Sequence, residues 1–433
     1  MTYQMLMVAL PFIVMLTFFT MGTPVAFAMG ATGVLALAFA TGLPTANFYL
    51  ATVPYSAAAN YGLAAIPMFL VMGYVAHASD VTRNLFDLAY KWTGRLPGGL
   101  LQGVIWGGAL FAAVCGSSLA STAALGSTVL RDLERYNYNK KLMLGVVAST
   151  GTLAVMIPPS IAFIIYGILT GVSIGKLLIA GILPGLLSGF MFMAYVAIRA
   201  KLDPTLAPTA ARFDVADRMR ALRQALPSLV LIIIVFGAIY SGFATPTEAA
   251  AVGAAGAMAI AVVGRKLSFS EFMEGMNDAV KATSMIFMII IGAFLFGYYT
   301  TLAQIPQDFA TFLSGLDVNR WVILGAIILM YLALGTIMDQ TAIIILTVPI
   351  IFPVIVALGF DPIWWGVILV KTNEIGLMTP PIGLNVYVLK GVSNESLGTI
   401  FGGVLPFVLV DVVTLALLIA LPQISLFLPS MMG

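Results

Sequence analysis

Charge is scarce in this chain: only 9% of its 433 residues are Asp, Glu, Lys or Arg, against about 25% in soluble domains. The chain is 61% hydrophobic, with mean hydropathy +1.05. A soluble fold is excluded, and membrane lipid becomes a necessary neighbour. The apolar runs are helix-length and do not alternate, which excludes a β-barrel. A single cysteine, Cys115, rules out an internal disulfide framework. A single histidine, His77, rules out a zinc or haem site built on histidines. It falls near a span end and reads as a surface residue. No phosphate-binding Gly-x-x-x-x-Gly-Lys-Ser/Thr loop occurs, so ATP is not the energy source within the chain. No organic cofactor and no nucleic-acid partner are expected. The first apolar run lacks a basic leader and a small-residue cleavage site, and reads as a span.

Two interruptions stand out instead. "AVMIPPSIAFIIY" (154–166) and "GLMTPPIGLNVY" (376–387) each place a proline pair in a run apolar enough to cross a membrane. Proline removes a backbone donor. In lipid, each freed polar group costs several kcal/mol unless protein or water satisfies it. The pairs Pro158-Pro159 and Pro380-Pro381 are 222 residues apart, and the same offset relates "GILPGLL" (181–187) to "GVLPFVL" (403–409). Thr23-Pro24 and Thr245-Pro246 repeat it, and further matches keep their order at offsets of 219 and 224. The chain therefore reads as a tandem duplication: a first repeat over 1–200, a linker over 201–225 and a second repeat over 226–433.

Each half parses alike. Spans are expected near 4–21, 24–42, 61–78, 142–170 and 178–199, then near 226–243, 245–263, 284–303, 365–388 and 399–421. The segments 43–60, 79–99 and 264–283 read as interfacial amphipathic helices. Blocks 101–130 and 321–357 are apolar with small, polar centres, "CGSSLASTAALGS" and "LGTIMDQTA". They suit re-entrant helical hairpins with their tips buried in protein. Five crossings per half is an odd number, so the halves are expected to be inverted. The 200–225 linker holds Arg212, Arg218, Arg220 and Arg223 and is placed in the cytoplasm. Seventeen of the twenty Lys and Arg then fall on that side, Arg131, Arg265 and Lys266 among them. Both termini become periplasmic. The expected fold is an all-α polytopic membrane protein of two inverted repeats.

Broken helices expose carbonyls and N–H groups at mid-membrane, where they attract ions. Around the first break stand Gly116, Ser117, Ser118, Ser121 and Thr122 on the hairpin tip, with Ala154, Ile157 and Pro159. Hydroxyls and free carbonyls are hard oxygen ligands that suit Na⁺. Around the second stand Gly335, Thr336, Asp339, Gln340 and Thr341, facing Asn373, Gly376, Thr379 and Asn385. The alternative is that small residues and hydroxyls merely let helices pack closely. Lys371, Glu374 and Asp339 are charges inside spans and therefore functional candidates, with Asp411 and Glu248 behind them. Lys371 and Glu374, three apart on a helix, could instead simply pair.

At these residues a family resemblance enters. "GSSLASTAALGS", "IPPSIAFIIYG", "GTIMDQTA" and "TPPIGLNVYVLKG" resemble the large membrane (M) subunit of tripartite ATP-independent periplasmic (TRAP) transporters. The resemblance covers the full length, and the last motif is its most specific part. It implies Na⁺-driven import of a small organic acid, such as sialic acid or a C4-dicarboxylate, across the bacterial inner membrane. It implies two partners, a small four-span membrane (Q) subunit and a soluble periplasmic binding (P) protein. It also implies an elevator motion, in which hairpins and broken helices slide as a unit against a scaffold. One sodium site would use tip serines with Ala154, Ile157 and Pro159; Ser117, Ser118 and Ser121 all fit. Family members more often have Gly where Ala154 stands, a change that a backbone carbonyl ligand tolerates. The other site would use Gly335, Gly376, Thr379 and Ile382. Gly116, Thr122, Asp339, Gln340, Thr341, Asn373 and Asn385 are the candidates for substrate contact, and Lys371 with Glu374 for gating or charge pairing.

Three other readings compete. A stand-alone ion-coupled carboxylate or anion transporter of related fold would need no binding protein. An intramembrane hydrolase using Ser117 or Ser118 with Lys371 leaves the duplication of the hydroxyl cluster unexplained. A purely structural subunit leaves the paired breaks and intramembrane charges unexplained.

Overall fold

A computed structural model describes residues 2–79, 81–136, 138–207, 213–264, 268–315 and 318–432. Arg212, Arg265 and Lys266, counted above among the cytoplasmic cations, lie outside them, as does the side chain of Arg131. The described chain is helical throughout. It opens with α1 (Thr2–Thr20), α2 (Val25–Thr41) and α3 (Leu43–Ala58); a 3₁₀ turn then leads into α4 (Ala65–Ala78), followed by α5 (Val81–Thr93). A helical pair follows, α6 (Leu100–Cys115) and α7 (Ser118–Arg135), and then a broken helix, α8 (Lys140–Met156) and α9 (Ile161–Thr170). The first half closes with α10 (Ile174–Ala180) and α11 (Ile182–Leu202). The second half runs α12 (Val215–Tyr240), α13 (Pro246–Val263), α14 (Phe269–Leu302) and α15 (Ile305–Ser314). A second helical pair, α16 (Arg320–Gly335) and α17 (Gln340–Ala357), precedes the second broken helix, α18 (Pro362–Gly376) and α19 (Leu384–Ser393). The described chain ends with α20 (Leu397–Ala420) and α21 (Gln423–Ser430).

Local chemistry sets many of these boundaries. Side chains of Asn139, Ser160, Asp339 and Asp361 accept the first free N–H groups of α8, α9, α17 and α18, as N-caps do. Thr245/Glu248 and Ser268/Glu271 form full capping boxes at α13 and α14. Glu248 is thus an exposed cap at a helix start, not a buried functional charge.

Two expectations are corrected. Of the segment 264–283, the described residues 268–283 do not form a separate interfacial helix. No proline interrupts 268–302, and α14 runs on for 34 residues, about 51 Å at 1.5 Å per residue. That exceeds a hydrocarbon core of about 30 Å, so its polar start stands clear of the apolar layer. The span expected at 178–199 is present and begins earlier: α10 and α11 follow one another through Gly181 as one span-length apolar stretch, Ile174–Leu202. At Gly181 any Cβ would collide with the Met156 carbonyl, so the junction of α10 and α11 lies directly against the first break. Two short helices, α15 and α21, have no counterpart in the expected spans.

Among the described residues, eight helical stretches are long and apolar enough to cross a membrane, counting α8–α9, α10–α11 and the 3₁₀ turn with α4 as one each; α2, α6, α16 and part of α1 are shorter apolar helices. The protein is an all-α, multi-pass membrane protein. Its centre is the first broken helix: 89% of the apolar window in 140–170 is buried, against 28% in α12 and 33% in α13. Helices α6, α7, α11 and α20 pack on α8, while α2, α4 and α13 pair with one another or with α14 further out.

Candidate functional site

The first tip meets the first break directly. Gly116 ends α6 in the left-handed region (φ 68°), and a Cβ there would lie 2.5 Å from the Pro159 carbonyl oxygen. The tip can approach that closely because it has no side chain. In α8, the carbonyls of Ala154 and Val155 should accept from residues 158 and 159, but both are prolines and have no N–H. Ser121 and Thr122 are fully buried, and neither hydroxyl has a hydrogen-bond partner among the described residues. The same holds for Ser149 and Thr150 on α8. Gly151 gives Thr122 its space, since a Cβ there would overlap the threonine. Ser117 is half-buried, and its hydroxyl accepts weakly from the Ala120 N–H at 3.4 Å. Ala154, Ile157 and Pro159 are all buried at the break. This is a cluster of hard oxygen atoms short of donors, which fits a small cation.

The second tip and break touch backbone to backbone. A Cβ on Gly335 would lie 2.9 Å from Cα of Gly376, and one on Gly376 would lie 2.6 Å from Cα of Gly335. The Gly383 N–H donates to the Thr336 carbonyl at 3.2 Å, fastening tip to break. Thr379 is half-buried, and its hydroxyl donates to the Ile375 carbonyl at 2.7 Å, leaving its lone pairs free to accept. The Gly376 carbonyl already accepts from the Thr379 N–H at 3.0 Å, so only its second lone pair is available. Ile382 is half-buried beside this turn. Asn373 is fully buried, with no partner for either amide atom among the described residues, and the Gln340 amide nitrogen is likewise unpaired there. Asp339 caps α17 by accepting from the Thr341 N–H at 2.9 Å. Both proline pairs carry a cis bond.

The two sites are not separate. The Asn385 amide, at the second break, donates to the Ser118 hydroxyl on the first tip at 2.6 Å. Beneath them lies a charge cluster with no exposed surface. The Lys371 ammonium donates to Asp411, to Glu374 at 3.2 Å and to the Ser188 hydroxyl at 2.9 Å, and sits 5.9 Å from the Phe192 ring centroid. Lys371 and Glu374 therefore do pair, as part of a larger bridge joining α18 to α20 and α11.

Residues 12–424 match the family described as tripartite ATP-independent periplasmic transporter, DctM component. The chain belongs to this family. Over 385 residues it is 38% identical to the C4-dicarboxylate TRAP transporter large permease protein DctM of Pseudomonas aeruginosa, covering 89% of this chain and 90% of that one. The sialic acid TRAP transporter large permease protein SiaM of Vibrio cholerae is 33% identical over 375 residues, 86% of this chain and 87% of that one. The isethionate TRAP transporter permease protein DctMQ of Oleidesulfovibrio alaskensis is 33% identical over 416 residues, which are 95% of this chain and 64% of that longer protein. The fold resembles the Alcanivorax borkumensis YdaH transporter, whose crystal structure reveals an unusual topology. The TM-score is 0.60 over 91% of this chain and 89% of that one, at 15% identity. As a TRAP large permease, the protein is a transporter and not an enzyme.

In this TRAP permease both tips also open on one cavity of about 460 Å³. Ser117 and Ala120 line it from the first tip, Asp339 and Thr341 from the second, Tyr74 and His77 from α4, and Asp278 from α14. His77 is exposed as expected, but into this cavity. Ser188 and the Ser118–Asn385 link had no signal in the sequence. The tandem offset of 222 pairs Ser188 with Val410, an apolar residue.

Proposed function

We propose that the chain is the large transmembrane subunit of a Na⁺-coupled, binding-protein-dependent importer of an organic acid such as sialic acid or a C4-dicarboxylate. The observation that carries this reading is the direct seating of each polar tip on its own proline break. Sodium, the coupling ion, would be held on one side by the tip serines with the Ala154, Ile157 and Pro159 carbonyls. On the other it would be held by Gly335, Gly376, Thr379 and Ile382. The donor-starved hydroxyls and carbonyls at the first break support the first assignment. The glycine contact and the free Thr379 lone pairs support the second. The tips and breaks form one body and would move together against α2–α5 and α12–α14 in an elevator stroke. The halves 1–200 and 226–433 are read as inverted repeats joined by a cytoplasmic linker, in the inner membrane, with both termini periplasmic. A small four-span Q subunit and a periplasmic P protein complete the transporter; similarity to a protein named DctMQ supports the first.

The test is uptake in proteoliposomes with both partners. Replacing Na⁺ by choline should abolish it, and removing ATP should leave it unchanged. Thr379→Val keeps shape and removes an oxygen ligand. Loss of one bond to a charge costs about 1.5–3 kcal/mol, or about ten- to a hundred-fold in sodium affinity. Uptake by this variant should fall at low Na⁺ and recover at high Na⁺; wild-type sodium dependence would remove Thr379 from the site.

A further inference from the structure

The cavity between the tips and the outer helices sets a problem for an organic anion. Its lining contains two carboxyl groups, Asp278 and Asp339, and neither Lys nor Arg. A bound carboxylate needs donors, and charge-assisted ones are the strongest. Asp339 faces inward as a helix cap, already accepting from the Thr341 N–H. Asp278 has Lys281 at 3.6 Å, but that lysine is 68% exposed and lies outside the lining. The hydroxyls of Ser117, Tyr74 and Thr341 are neutral. His77 is left as the one lining side chain able to carry positive charge, and it is the chain's single histidine. Its ring centroid stands 6.5 Å from that of Phe111. The imidazole has no hydrogen-bond partner among the described residues, so its donors are free for a ligand.

We propose that His77 is the specificity-determining residue of the outer wall, donating to the substrate's carboxylate as it crosses between the tips and α4. The proposal rests on the organic-acid reading above. The titratable groups that line the cavity with it are the Asp278 and Asp339 carboxyls, the Tyr74 phenol and the Cys115 thiol; of these and the imidazole, only the imidazole ordinarily changes charge between about pH 5 and 8. An imidazolium donates from both nitrogens and attracts the anion, and a neutral ring does so weakly. Affinity for the anion is therefore highest at low pH and falls as pH rises through the imidazole's titration.

The experiment uses the reconstituted complex with its binding protein at saturating Na⁺. Uptake of succinate and of sialic acid is measured between pH 5 and 8 in wild type, His77→Gln and His77→Lys. His77→Gln should raise KM about tenfold at pH 5, leave the maximal rate and melting temperature near wild type, and flatten the pH profile of KM. His77→Lys should hold a low KM up to pH 8. An unchanged KM with the wild-type pH profile in His77→Gln overturns the assignment of His77 alone. No uptake of either anion by the wild type overturns the organic-acid reading, and this proposal with it.

Discussion

Lys371 holds together carboxylates from two helices and a hydroxyl from a third, all without exposed surface. Breaking a buried ion pair by removing one partner costs about 3–5 kcal/mol, because the remaining charge has neither water nor counter-ion. Lys371→Met would leave Glu374 and Asp411 facing each other with the cation gone. The expected outcome is a fall in melting temperature and in yield of folded protein in detergent, larger than for Lys371→Arg, which keeps the charge. A Met variant as stable as wild type would show that the bridge contributes nothing to folding. The pairing of Lys371 with Glu374 was legible in the sequence, since residues three apart on a helix share a face. Asp411 and Ser188 were not legible as its partners. They approach from α20 and α11, 40 residues later and 183 residues earlier, and no local rule reports such a distance.

The elements that meet at mid-molecule do so through glycine. Gly116 has both a positive φ and no room for a Cβ, which would lie 2.5 Å from the Pro159 oxygen. Gly116→Ala should push the α6–α7 tip off the first break. Uptake should fall at least tenfold, while the folded yield drops far less. Gly325 in α16 is the control, with nothing within 4 Å of a Cβ. Gly325→Ala should preserve uptake and gain up to about 1 kcal/mol in helix stability. Equal uptake by the two variants would mean that tip and break need not touch for transport. Elements like these were readable from sequence because their signals are local: proline pairs and small polar centres in apolar runs. Continuity was harder to read. The polar segment before Ser284 reads as a separate amphipathic helix, yet nothing in it breaks the hydrogen-bond ladder, and α14 carries straight through.

At the scale of the whole molecule, the functional proposal stands on a two-fold internal relation. Each half contains a helical pair followed by a broken helix, α6–α7 with α8–α9 and α16–α17 with α18–α19. If each half crosses the membrane an odd number of times, the connections from pair to broken helix must lie on opposite sides. The distribution of Lys and Arg would place the first of them, at 136–139, in the cytoplasm, and the proposed inversion then puts the second, at 358–361, in the periplasm. Tyr136 is 55% exposed and Ala357, at the end of α17, is also exposed, so both accept a reporter. With buried Cys115 replaced by Ser, Tyr136→Cys and Ala357→Cys should each react with a membrane-impermeant maleimide from one side only. Ala357→Cys should label in intact spheroplasts, and Tyr136→Cys in inverted vesicles alone. Charge and crossing number support this arrangement by separate routes, and an even number of crossings per half would preserve neither. Labelling of both cysteines from the same side would therefore overturn the inversion. It would also remove the symmetry argument for two equivalent cation sites, leaving each break to be judged on its own oxygen atoms.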